Sequence, residues 1–280
     1  MDKEKTETQT KIHPTAIVDA SARIGSGVRI GPGAIVEADT TLGDDCELMA
    51  HCVIRRYTTL GRRNVVHPFA VLGGEPQDYG HDPAVRSFCR IGDDNVFREG
   101  ATVNRATGAD KVTRVGNHNY FMASAHVGHN VVLGDHCVMV NNSSLGGYAE
   151  LGDRAILSAC GGVHQFCRVG EMALIRGNGG VTNHMPPYCM GARMNLIVGL
   201  NVVGLRRAPH ISAKDHREIS EAFKLLYRRG LSTSHALAEM DARSDWGEAA
   251  GKFRDFVRRA VTDTKPYNRG LVTADKKRSR

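Results

Sequence analysis

The sequence predicts an all-β solenoid: a parallel β-helix of hexapeptide repeats, closed by a small C-terminal α-helical domain. Three observations carry this reading. Stepping by six from Val115 meets Phe121, Val127, Leu133, Met139, Leu145, Leu151, Leu157, Val163, Val169, Ile175 and Val181, all apolar. The next residue is often Gly (Gly116, Gly128, Gly134, Gly146, Gly152, Gly170), and the fourth is usually small, as at Ala125, Cys137, Ser143, Ala155 and Cys167. A fixed period with its own chemistry at each position marks a solenoid of stacked turns. After Val203 the apolar spacing becomes helical.

Three hexads make one eighteen-residue turn of a triangular prism. The large apolar residue and the small one face inward, and the Gly suits a tight corner with φ > 0. Backbone groups pair with coils about 4.8 Å above and below. Residues eighteen apart therefore stack in columns. Gly147 falls over His129, Ser144 over His126, and His164 over Gly146.

Taken in order, residues 1–11 are charged and read as a frayed leader. The β-helix is expected over 12–203. Its first run passes through Ile24, Ile30, Val36, Leu42, Leu48, Ile54, Leu60, Val66 and Leu72. From Leu72 to Ile91 the phase breaks, and the Pro, Gly and Asp content of 74–90 predicts a loop excursion. A second excursion is expected at 105–113. Pro186 and Pro187 are expected to end the coil. Residues 204–280 read as a helical domain with a basic tail. Ser212 and Asp215 have capping-box spacing, and Ile219, Ala222, Phe223 and Leu226 follow as one face. Further helices are expected over 234–242 and 246–261.

Of the net charge of +7, residues 1–203 carry 19 basic and 20 acidic residues, a balance of −1; residues 204–280 carry 18 and 10, a balance of +8. The basic end suits an anionic partner. No apolar run is long enough to span a membrane, and no apolar signal core precedes the repeats, so a cytoplasmic protein without membrane insertion is expected. Cys46, Cys52, Cys137 and Cys167 occupy small-residue positions and read as buried hydrophobes.

The chemistry centres on Ala125-His126-Val127-Gly128-His129-Asn130. His126, His129 and His164 invite a metal reading, but His126 and His129 lie on either side of a corner of one coil, His164 lies two coils later, and no acid joins them at ligand spacing, so no metal is expected. A neutral imidazole is a suitable general base for a hydroxyl, and a backbone N–H one rung away is a suitable oxyanion donor. His129 beneath Gly147 supplies both. Other readings are a hexapeptide transferase using a coenzyme A thioester and a non-catalytic or metal-binding β-helix trimer.

Several motifs carry a closer resemblance: His13-Pro-Thr-Ala-Ile17, Pro76-Gln77-Asp78, Ala125-His126-Val-Gly-His129, Val163-His164-Gln165-Phe166, Pro186-Pro187-Tyr188 and Gly204-Leu205-Arg206-Arg207. From about His13 to Arg259 the chain resembles the bacterial UDP-N-acetylglucosamine acyltransferases. The resemblance implies a left-handed β-helix, a homotrimer with sites between subunits, no cofactor, and no nucleic-acid partner. It implies a 3-hydroxyacyl donor on acyl carrier protein and the 3-hydroxyl of UDP-N-acetylglucosamine as acceptor, the first step of lipid A biosynthesis. His129 would be the base, Asn130 its orienting partner, and Gly147 N–H the oxyanion donor. Gln77, Asp78, His126 and Tyr148 would position the sugar. His164 and Gln165 would line the nucleotide or pantetheine side, Asn201 and Arg207 would contact the nucleotide, and Gly177 would set acyl-chain length. Departures from the family pattern are Asn130 for an acid, Tyr148 and Asn104 for two histidines, and Gly80 near a missing lysine. Asn104 and Tyr148, which leave the pocket less positive, and the weaker His129–Asn130 pair suit an alternative acceptor, the 3-amino analogue of the sugar nucleotide, beside UDP-N-acetylglucosamine.

Overall fold

The computed structural model describes residues 9–275. Short strands stack into three sheets of twelve, nine and eight strands, one for each wall of the prism. The coil is a left-handed β-helix. Pairing is parallel with the expected register, so His126 faces Ser144 and Val127 faces Leu145. The apolar hexad residues fill the interior, where Phe97 and Phe121 stack at 4.6 Å. Each such buried side chain contributes about 1.5–3 kcal/mol. A polar thread runs beside them: Asn64, Asn95 and Asn119 are buried at the small-residue position. They bond one another and the corners, with Asn95 Nδ2 donating to Asn64 Oδ1 at 3.0 Å and Cys137 N to Asn119 Oδ1 at 2.7 Å, and the thread ends at Asn119 Nδ2, which has no acceptor among the described residues.

The corner explanation of the repeat glycines is corrected. Positive φ falls two residues later, on non-glycine residues such as Ser124 (59°), Asn130 (59°), His136 (57°) and Tyr148 (60°). The glycines are needed because coils approach closely: a Cβ on Gly116 would lie 2.6 Å from Gly134 O, and one on Gly43 2.5 Å from Gly61 C.

Both excursions are tighter than 74–90 and 105–113. The strand Val71–Gly74 ends the coil before the first and Phe88–Ile91 resumes it, leaving 75–87 as loop. Leu72 pairs with Val103, so thirteen residues beyond a normal turn are looped out. The second lies between Thr102–Asn104 and Val112–Val115. Here Ile91 pairs with Val115, so six extra residues leave the hexad phase intact.

Both ends of the prism differ from expectation. Lys11, placed in the leader, pairs with Arg29 as the first strand, Lys11–Ile12. Pro186 and Pro187 do not stop the coil: Cys189–Gly191 adds another parallel strand, and Leu196–Leu200 returns antiparallel. Helix α1 (Val202–Arg207) starts before the 203/204 boundary. It is followed by α2 (Ala213–Tyr227), with the Ser212/Asp215 capping box, α3 (Thr233–Asp241) and α4 (Glu248–Thr262). The apolar faces of α2 and α4 pack together through Ile219, Phe223, Phe253 and Val257. Ion pairs tie α4 and its following residue to the prism: Arg259 to Glu150 at 2.7 Å, Lys252 to Glu171 at 2.9 Å, and Asp263 to Arg168. The chain then returns, and Thr273–Ala274 pairs with Leu196–Leu200. Residues 1–8 and the basic tail at 276–280 lie outside the described residues.

Candidate functional site

One groove of about 610 Å³ runs along the wall that carries His126 and His129. His129 is 8% exposed. Its Nδ1 lies 2.9 Å from Asn130 Oδ1. Asn130 is itself fixed by the second excursion: Thr107 N donates to Oδ1 at 2.9 Å, and Nδ2 donates to Thr107 O at 3.1 Å. That pair of bonds settles which end of the amide is oxygen. An oxygen can only accept, so His129 Nδ1 carries the proton and Nε2 keeps its lone pair. The imidazole is thereby set as a base at the atom facing the groove.

Nε2 lies against the next coil. A Cβ on Gly147 would fall 2.5 Å from it, so only glycine lets the ring sit there. The Gly147 N–H has no acceptor among the described residues. Base and open donor thus adjoin, as acyl transfer requires.

His126 bonds Thr102 Oγ1 through Nδ1 at 2.8 Å, and burial, then the neighbouring His129, lowers its pKa. It is a neutral group on the groove wall. Tyr148 packs edge-on against His129, centroids 5.4 Å apart. Burial, then the charge of Asp78, raises its hydroxyl pKa. Asp78 is held in a turn by Gly80 N at 2.9 Å, beside Gln77, which lines the groove. His164 and Gln165 line it two coils above His126 and His129, and Asn104 lines it one coil below, in the column of His164.

The groove therefore gathers Gln77, His126, His129, Gly147, His164 and Gln165, with Asn130, Tyr148 and Asp78 touching or adjoining it. Gly177, Asn201 and Arg207 do not line it. Asn201 is buried as the cap of α1, accepting from Gly204 N at 3.1 Å and donating to Met172 O at 2.9 Å. Arg207 lies in the last turn of α1. Asn178 and Gly179, beside Gly177, do line the groove. At that end Met194, 61% exposed, covers Gly180, where a Cβ would meet Met194 Cε at 3.1 Å. Sequence reasoning missed Met194, Thr102 and Thr107. Thr102 pairs with His126 across the second excursion, so counting by eighteen does not find it.

Among the described residues no three of His, Cys, Asp and Glu come together as a metal site. The seven cysteines are free, and burial pushes the thiols of Cys52, Cys89 and Cys137 up to about 12.

Comparisons with known proteins agree with this architecture. A family model described as UDP-N-acetylglucosamine O-acyltransferase, domain 2, matches residues 185–272. The acyl-[acyl-carrier-protein]–UDP-N-acetylglucosamine O-acyltransferase of Rippkaea orientalis is 51% identical over 183 residues, 65% of this chain and 66% of that one. Its namesake from Anaeromyxobacter is 38% identical over 252 residues, 88% of this chain and 96% of that one. The solved Francisella novicida UDP-N-acetylglucosamine acyltransferase superposes with a TM-score of 0.88 at 33% identity, covering 95% of this chain and 94% of that one. On that extent of sequence and structure, the chain belongs to the UDP-N-acetylglucosamine O-acyltransferase family.

Proposed function

We propose that this chain transfers a 3-hydroxyacyl group from acyl carrier protein to the 3-hydroxyl of UDP-N-acetylglucosamine, opening lipid A biosynthesis. The observation that carries the reading is the pairing of an Nδ1-protonated His129 with the unbonded N–H of Gly147. His129 Nε2 takes the hydroxyl proton as the oxygen attacks the thioester carbonyl. Gly147 N–H holds the oxyanion while the C–O bond forms. The C–S bond then breaks, and the thiolate of the carrier takes the proton back from the imidazolium. Gln77, Asp78, His126 and Tyr148 position the sugar. His164 and Gln165 take the nucleotide or pantetheine side. Asn201 and Arg207, away from this protomer's groove, act on the nucleotide only through another subunit of a homotrimer. The enzyme works in the cytoplasm; no helix among the described residues is long and apolar enough to cross a membrane.

The helical end receives the acidic carrier. Arg229 is already paired with Glu221 at 2.6 Å, and Arg228 donates to Asp275 O at 2.8 Å. Arg217 and Lys224 on α2 remain exposed for docking. Incubation with UDP-N-acetylglucosamine and a panel of carrier and coenzyme A thioesters, read by mass spectrometry, tests the reading. An ester from carrier thioesters supports it; equal use of coenzyme A thioesters points to the other transferase class. Gly177→Met shortens the preferred acyl chain; an unchanged profile leaves Met194 as the end of the groove.

A second reading takes the 3-amino analogue as acceptor. Asn104 Oδ1 is buried on the groove wall with no donor among the described residues. A ligand N–H or O–H would satisfy it, so both sugar nucleotides fit this atom. Competition between the two sugar nucleotides decides, and a tenfold kcat/KM advantage for the amine would make the product an amide.

A further inference from the structure

The corner column of Asn130, beside His129, is aromatic on the two coils above it. Asn130, Tyr148 and Phe166 occupy successive corners at φ 59°, 60° and 61°. The Tyr148 ring packs edge-on against His129 at 5.4 Å and stacks on Phe166 at 4.8 Å. The next position by count, His184, is buried and its ring packs on Phe256 in place of Phe166. Instead the C-terminal return supplies Tyr267, edge-on to Phe166 at 5.5 Å, and Arg269, whose guanidinium lies 5.7 Å from the Phe166 centroid.

Tyr267 is held by a buried polar cluster. His184 Nδ1 accepts from Arg168 N at 3.0 Å, so its Nε2 carries the proton and donates to Tyr267 O at 2.7 Å. Arg168 lies 4.8 Å from the Tyr267 centroid and bonds Asp263 Oδ1 at 3.0 Å and Glu150 at 3.2 Å. The cluster fixes the far end of the ladder while the near end bears on the imidazole.

We propose that Tyr267 is a positioning residue for acyl transfer, acting through Phe166 and Tyr148 to hold the ring of His129. The inference rests on His129 being the base. Asn130 holds the ring at Nδ1 only, which leaves its tilt to the side that Tyr148 covers. Tyr148 keeps that position only if Phe166 cannot swing outward, and Tyr267 is the ring that blocks the swing. The contact is made by the ring, since the Tyr267 hydroxyl has no hydrogen bond to the described residues.

The test compares four variants by steady-state kinetics and thermal melting. Tyr267→Ala should lower kcat about fivefold to tenfold, the scale of a small misplacement of a reacting group. KM for the carrier thioester should stay within about twofold, because its binding groups do not move, and KM for the sugar nucleotide, which Tyr148 also touches, should change less than kcat. Tyr267→Phe should restore wild-type kcat. Val272→Ala loosens the same segment from a side chain only 2% exposed; it should lower Tm and leave kcat unchanged. A wild-type kcat in Tyr267→Ala, with His129→Ala inactive, overturns the inference and spares the base. Equal kcat losses in Tyr267→Ala and Val272→Ala at equal Tm overturn it too, because the segment would then act only by stabilising the fold. Activity retained in His129→Ala would remove the base itself.

Discussion

Two corners of the prism use the same hexad position in opposite ways. On one edge the position holds Ser26, Asp44, Arg62, Asp93, Asn117, Asp135 and Asp153 on successive coils, and at several of them the side chain above caps the N–H below. Asp44 accepts from Ser26 N at 3.0 Å, Asp135 from Asn117 N at 2.7 Å, and Asp153 from Asp135 N at 2.9 Å. On the other edge the position holds His129, Gly147 and Gln165. Gly147 has no side chain to cap with, and the Gln165 side chain makes no bond to Gly147 N. The first edge spends its N–H groups on holding coils together. On the second edge the N–H groups of His129, Gly147 and Gln165 have no acceptor among the described residues, and that of Gly147 lies beside a base. Chemistry here depends on an uncapped edge and on the glycine that brings one of its N–H groups against His129.

The largest effect should come from removing the base. His129→Ala should lower turnover at least about 100-fold, the usual weight of a general base. His118 and His136, stacked at 4.8 Å on another corner, have no groove or orienting amide, so His118→Ala should keep wild-type turnover. Loss of activity in both variants would erase the distinction between the corners.

Converting one corner into the other comes next. Gln165→Asp places a short carboxylate where Asp135 and Asp153 sit on the capped edge. It should accept the Gly147 N–H and lower kcat at least about tenfold, the scale of a lost oxyanion donor, with an unchanged or higher Tm. Wild-type kcat in a folded variant would remove that N–H from the mechanism.

The reverse change should touch stability alone. Asp135→Ala frees Asn117 N and should cost about 1 kcal/mol, the net worth of such a bond, with kcat unchanged. Thermal melting and a rate assay on one preparation separate the two.

The smallest effect is a slope with pH. Burial lowers the pKa of His126 and of His184; at His184 the bond to Tyr267 O and the charges of Asp263 and Glu150 oppose the shift, and the charge of Arg168 adds to it. Folding therefore favours their neutral forms. That stabilisation is complete above 6.5, their ordinary value, and is lost as pH falls below it, where the unfolded chain binds protons that the fold resists. Tm should decline below that pH, and less steeply in His184→Gln. An equal decline in the variant would place the linkage elsewhere.

Much of this was legible because stacking turns sequence distance into position. Gly147 over His129 follows from counting eighteen, and the structure keeps that register. The helices followed from caps such as Ser212 and from apolar spacing. What escaped lies where counting fails. Thirteen and six looped-out residues separate Asn104 and Thr102 from their columns, and Thr107 reaches Asn130 only because its loop folds back. Tyr267 meets Phe166 from a segment with no repeat at all. Positive φ left a partial mark: Asn130, Asn142 and Asp94 are of types that tolerate left-handed backbone, while Tyr148 and Phe166 carry no such signal.

The central claim is that His129 presents an unprotonated Nε2 to the groove because Asn130 claims Nδ1. The most direct test is ¹⁵N NMR of the His129 ring at alkaline pH, assigned by comparison with His129→Ala. The account predicts a protonated Nδ1 and an unprotonated Nε2, with the pattern weakened in Asn130→Ala. A proton resident on Nε2 would contradict it, because that nitrogen could not then accept one from a substrate.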